Sequence, residues 1–176
     1  MKSHILLAVS VVVAFAIAAN AQENSSAPPS HPESSNGQAN KCPMDTHSRE
    51  NEGMGFSQAK TTHHFSLTKE GGVIAVEAND PKDTESRDRI RMHLAHIAKA
   101  FAQGDFDIPM FVHDQVPPGV SVMKARKGQI NYRFEKTRLG GQVVITSNDA
   151  AVLSAVHDFL AFQIREHKTG DDLTVQ

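Results

Sequence analysis

The chain has 176 residues, 39% of them hydrophobic and 22% charged, the composition of one globular domain rather than two. A formal charge of −2, no Trp and one Tyr exclude an electrostatic footprint for nucleic acid and leave little for base stacking. One cysteine excludes an intramolecular disulfide framework.

Lys2, the apolar run Ile5 to Ala19 and the small-x-small step Ala19-Asn20-Ala21 read as a secretory signal peptide over residues 1–21. The run is too short and alanine-rich for a permanent span, and no later segment approaches the roughly 20 apolar residues a spanning helix needs. The expectation is an exported protein, periplasmic or secreted, with no membrane contact after cleavage. Residues 22–60 read as a flexible leader: Gln22 to Asn40 is Ser, Pro, Asn, Gly and Glu, too polar to offset its ordering entropy. From Cys42 to Lys60, Met44, Met54 and Phe56 offer apolar anchors, while Gly53 and Gly55 argue against regular structure.

A single α+β domain is expected over 61–176. Phe65 and Leu67 alternate with polar residues, Gly71-Gly72 reads as a turn, and Val73, Ile74 and Val76 continue as a second strand. Ile90, Leu94, Ile97 and Phe101 then recur as one helical stripe ending at Gly104. A loop follows over Asp105 to Gly119, within a connection 105–128; Pro109, Pro117 and Pro118 keep it from being helical throughout. The pattern repeats with Ile130, Tyr132 and Phe134, the doublet Gly140-Gly141, the strand Val143 to Ile145, and a helix carrying Val152, Val156, Phe159 and Gln163 that closes at Gly170. Two ββα units, 61–104 and 129–171, are expected to form a four-stranded antiparallel sheet with two helices on one face, the first unit holding about five extra residues before its helix.

Histidine is the residue out of proportion, ten in all. His93 and His96 stand i, i+3 on the first helix, within reach of one ion. His63 and His64 are strand neighbours and point to opposite faces, so only one faces the helices. His113 and Met110 lie in the long loop, where functional residues concentrate. Imidazole with thioether favours copper over magnesium or calcium. Read without chemistry, the same histidines are polar shoulders of an amphipathic helix and a strand-end surface residue. Cys42-Pro43-Met44-Asp45-Thr46-His47 resembles the Cys-Pro-Met-His stretches of small heavy-metal-binding modules, over a few positions only.

Ser57-Gln58-Ala59-Lys60 matches S-x-x-K and Lys168-Thr169-Gly170 matches K-T-G, but neither has the helix or strand context of a penicillin-binding enzyme, and S-D-N is missing. No nucleophile or oxyanion arrangement is visible. A general-base role for His93 or His113 is the only enzymatic reading left.

The run Gly55 to Phe65 with its Thr61-Thr62-His63-His64-Phe65, together with His93-Leu94-Ala95-His96-Ile97, Gly104-Asp105-Phe106 and Pro117-Pro118-Gly119-Val120, is similar to a family of small bacterial proteins, often exported, that have no established function. The resemblance covers roughly Met54 to Asp171. Some members carry an automatic aspartate carbamoyltransferase label, which this sequence does not support: the Ser-Thr-Arg-Thr signature for carbamoyl phosphate is absent and the chain is too short. The resemblance implies a coherent fold and no mechanism.

The sequence thus predicts an exported protein binding a transition metal, copper first, through His93, His96, His113, one of His63 or His64, and Met110, for sequestration or delivery. Haem is a variant with paired His ligands and no C-x-x-C-H attachment site. The alternative is a module whose pocket under the 105–119 loop takes a small apolar ligand or a partner protein.

Overall fold

The structure is a computed structural model, and it describes residues 46–176, with side chains from Ser48 onward. The signal-peptide reading and the Cys42–Met44 cluster lie outside the described residues, as does the side chain of His47. The chain runs α1 (Thr46–Met54), β1 (Thr61–Thr68), β2 (Gly71–Ala78), α2 (Thr84–Ala102), α3 (Asp107–His113), α4 (Val120–Ala125), β3 (Ile130–Lys136), β4 (Gly140–Ser147) and α5 (Ala150–His167). The strands form one antiparallel sheet in the order β1-β2-β4-β3. Among the described residues no helix is long and apolar enough to cross a membrane.

The expected α+β architecture is present, and the alternation in β1 places Thr61, His63, Phe65 and Leu67 on the buried face. Ile90, Leu94, Ile97 and Phe101 of α2 are all buried, as are Val152, Val156, Phe159 and Gln163 of α5. Helix α2 packs on β3 and β4, whereas α5 packs on β1 and β2. Each ββα unit therefore lays its helix chiefly over the strands of the other.

The two halves match in more than element order. In the central β2–β4 pairing, Gly71 faces Thr146 and Glu77 faces Gly140, a register that maps onto itself when Gly71 is exchanged with Gly140. Asp83 caps α2 through Ser86 N, and Asp149 caps α5 through Val152 N. Counted from these caps, Arg91 and His157 are equivalent. Arg91 donates to Thr137 O at 2.6 Å and Gly140 O at 2.9 Å, and His157 Nε2 reaches Thr68 O at 2.8 Å. Thr68 and Thr137 are themselves equivalent, counted from the two glycine doublets, so each helix is tied to the turn of the opposite hairpin by the same side-chain position.

Several local expectations are corrected. The glycine doublets are not turns: residues 69–70 and 137–139 make the connections, and the glycines open β2 and β4. A Cβ on Gly71 would stand 2.2 Å from Ile145 O, and one on Gly140 2.0 Å from Val76 O, so the doublets let the two central strands approach. Residues 79–83 precede α2 and 148–149 precede α5, so the extra length in the first unit is three residues rather than five. Helix α5 closes at Lys168, whose φ is 52°, ahead of Gly170. The long connection holds α3 and α4, anchored by Phe106, which is fully buried and stacked 4.3 Å from Phe101; a buried side chain of this size contributes about 1.5–3 kcal/mol.

The segment read as leader also carries structure. Helix α1 forms despite Gly53 because it docks on α3, with Arg49 Nε donating to Val112 O at 3.0 Å. Met54 and Phe56 are buried. Nine residues do not hold a helix alone; the docking does.

Candidate metal centre

Four elements bring histidine to one place. His63 comes from the buried face of β1, His93 from α2, His113 from the last residue of α3 and His167 from the end of α5. They line a cavity of about 70 Å³ together with Gln163, Met54 and an apolar wall that includes Phe65, Ile97 and Phe159. His167 is stacked on His63 with ring centres 5.8 Å apart, and stands edge-to-face with His113 at 5.1 Å. Phe56 lies between His63 and His93, at 6.0 and 5.5 Å.

A hydrogen-bond network fixes how these rings present their nitrogens. Gln163 Oε1 lies 3.0 Å from His113 Nε2 and 3.2 Å from His167 Nε2. An amide oxygen only accepts, so with the amide in this orientation both rings donate Nε2–H and keep a lone pair on Nδ1. The His167 Nδ1 is in contact with Glu50 Oε1 at 2.9 Å, with side chains only 8% and 3% exposed, off the line of a hydrogen bond. His113 Nδ1 and His63 Nε2 are buried without a hydrogen-bond partner, a condition that costs about 1–3 kcal/mol per group.

Burial also sets the charge. Desolvation, followed by repulsion from His167 and His93, lowers the His63 pKa to about 3. Desolvation, then His96, lowers that of His93 to about 4. His113 is likewise pushed down by burial, against the opposing Gln163 bond. These three imidazoles are neutral at pH 7, the form that offers lone pairs to a ligand.

The residues expected from sequence divide. His63, His93 and His113 meet at the cavity. His64 points to the opposite face of the sheet, where its half-exposed ring bonds Asp171 Oδ1 at 2.9 Å. His96 is exposed and lines a separate surface depression. Met110 is half-buried against the core and lies outside the cavity lining. Glu50, Gln163 and His167 complete the site. His167 was legible as the next i+4 position after Gln163 on the α5 stripe; Glu50 lay in the segment read as leader.

Among the described residues no three His, Cys, Asp or Glu side chains already converge on one point as a metal cage. Two of the ring pairs, His63–His167 at 5.8 Å and His113–His167 at 5.1 Å, stand near the roughly 5 Å between centres of imidazoles that share an ion at about 2.1 Å per nitrogen.

The pseudo-twofold relation supplies an internal control. His63 stands as far ahead of its glycine doublet as Tyr132 does, and His167 as far beyond its cap as Phe101. In one half the helix-over-strand pair is therefore His167 over His63, and in the other it is Phe101 against Tyr132, with ring centres 5.8 Å apart in both. Ile97 is likewise the counterpart of Gln163. The fold accommodates ordinary core residues at these positions, so packing alone does not call for histidine or glutamine there. Comparison with protein-family models, curated proteins and solved structures finds no match to this chain.

Proposed function

We propose that this protein binds one copper ion in the histidine-lined cavity, as an exported holding or transfer protein. His63, His113 and His167 are the imidazole ligands, and the Met54 thioether stands at the cavity wall. The observation that carries the reading is the asymmetry between the halves: incompletely bonded imidazoles, His63 and His167, where the equivalent positions hold Tyr132 and Phe101. Imidazole with thioether selects copper among the divalent and monovalent first-row ions, and the Glu50 carboxyl offers charge to offset the cation's. A cavity of about 70 Å³ has room for a few waters, which suits an ion with a small ligand and is too little for a porphyrin.

The test uses the full chain carrying Cys42→Ser, which removes the tail thiol, titrated with Cu(I) against a chromophoric chelator. One equivalent is expected to bind. The variant His63→Tyr/His167→Phe writes the residues of the other half into the site, keeps the fold by far-ultraviolet circular dichroism, and loses that equivalent. Retention of the equivalent in the folded variant contradicts the assignment.

The apolar wall favours a second reading, a small apolar ligand whose polar end meets the imidazoles. That reading predicts ligand binding that persists in excess chelator.

A further inference from the structure

The copper reading leaves open how an ion reaches a site walled by buried side chains, and the surface beside it answers in chemistry of the same kind. A depression on the outer side of α2 is lined by Met92, His96, Glu85 and Asp88. Met92 and His96 stand i, i+4 on one face, and Met92 is 69% exposed. A large thioether that far in water buries little apolar surface, so packing does not account for it. The depression and the inner cavity have three lining residues in common, Met54, His93 and Ile108. Two of these are a thioether and an imidazole.

The partition is a short stretch of chain held to α2. Met54 sits between Gly53 and Gly55, and Gly55 has φ +70°, a conformation that favours glycine. Arg89 donates to Gly55 O at 3.2 Å while pairing with Glu85 at 2.8 Å, so the partition is tied to the helix that carries Met92, His93 and His96.

Resting on the copper reading, we propose that the outer depression is the loading point and that Met54 and His93 relay Cu(I) from Met92 and His96 to the inner site. Each step is a ligand exchange: a bond from copper to the outer sulfur or nitrogen breaks as one to Met54 sulfur or a His93 nitrogen forms. No electron moves. Glu85 is paired with Arg89, and Asp88 with Arg87 and Arg91, so capture at the mouth rests on the Met92 sulfur and the His96 imidazole rather than on net charge.

The experiment is stopped-flow transfer of Cu(I) from its bicinchoninate complex to the full Cys42→Ser chain. The comparison is with the same chain carrying Met92→Ala/His96→Ala, two exposed changes that leave the core intact. Uptake is expected to slow about tenfold, with the equilibrium affinity unchanged. An unchanged uptake rate overturns the relay while leaving the inner site standing. Affinity that falls in step with rate also overturns it, because Met92 and His96 would then belong to the resting site. Absence of binding by the parent chain at equilibrium sinks the copper reading itself, an outcome separate from either.

Discussion

The site's character comes from three imidazoles that the fold keeps neutral. The folded values of His63 and His93, about 3 and about 4, lie below the ordinary 6.5 of the unfolded chain, so the unfolded state binds more protons between these limits. Their contribution to stability is therefore complete above about pH 6.5 and is lost as pH falls toward 4, at about 1.4 kcal/mol per pH unit for each group. Urea unfolding of the metal-free protein in chelator is expected to show its midpoint dropping across this window, with a shallower fall in His63→Tyr. A midpoint flat from pH 6.5 to 4 would show that these rings are solvated. At this scale the sequence was partly legible: strand alternation separates His63 from His64, and the apolar Phe65 and Leu67, two and four residues on, set His63 on the core face. Which histidines from β1, α2, α3 and α5 meet is a property of the packed chain, and so is the participation of Glu50.

Among the elements, the strands and the two long helices were readable because their burial has a period, two in β1 and 3.6 in α2 and α5. Helix α1 was not, since its existence rests on docking against α3 rather than on its own residues. The glycine doublets misled for a physical reason: glycine marks close backbone approach as well as turns. Gly140→Ala places a Cβ 2.0 Å from Val76 O and is expected to destabilise by about 3 kcal/mol or more, whereas Gly128→Ala, with nothing within 4 Å, should stay within about 0.5 kcal/mol. Equal midpoints for the two variants in chemical denaturation would contradict the close-approach account. The helix caps titrate in a different window from the histidines. Hydrogen bonds from the Ser86 and Val152 backbones hold the Asp83 and Asp149 carboxyls below their usual range, so their contribution is present above about pH 4 and is lost at lower pH. Asp83→Asn/Asp149→Asn keeps a capping oxygen and should flatten the stability profile below pH 4 alone.

For the whole molecule, the pseudo-twofold frame has one apolar half and one chemical half, with edges managed separately. Edge strand β1 is covered by the last residues of the chain, Gln176 N donating to Leu67 O at 3.0 Å and Lys69 N to Gln176 O at 3.2 Å. Asp171 adds a second hold, accepting from Phe65 N at 2.8 Å. Removing residues 172–176 uncovers the backbone at Leu67 and Lys69, and exposed strand edges invite pairing with other chains. Faster amide exchange at Lys69 and a greater tendency to self-associate are expected in the truncated chain; unchanged exchange would mean that the tail does not protect the edge. The duplication was visible in sequence from the glycine and Asn-Asp landmarks. The crossed packing, which sets each helix chiefly over the other unit's strands, was not, because it depends on how the two units meet.

X-ray absorption at the copper edge of the Cu(I)-loaded full chain carrying Cys42→Ser tests the central claim most directly. The account predicts a first shell dominated by imidazole nitrogens, with the outer-shell scattering of the rings, and its loss in His63→Tyr/His167→Phe. A sulfur-only shell, or an imidazole signal unchanged in that variant, would contradict the claim that the copper site lies in the histidine half.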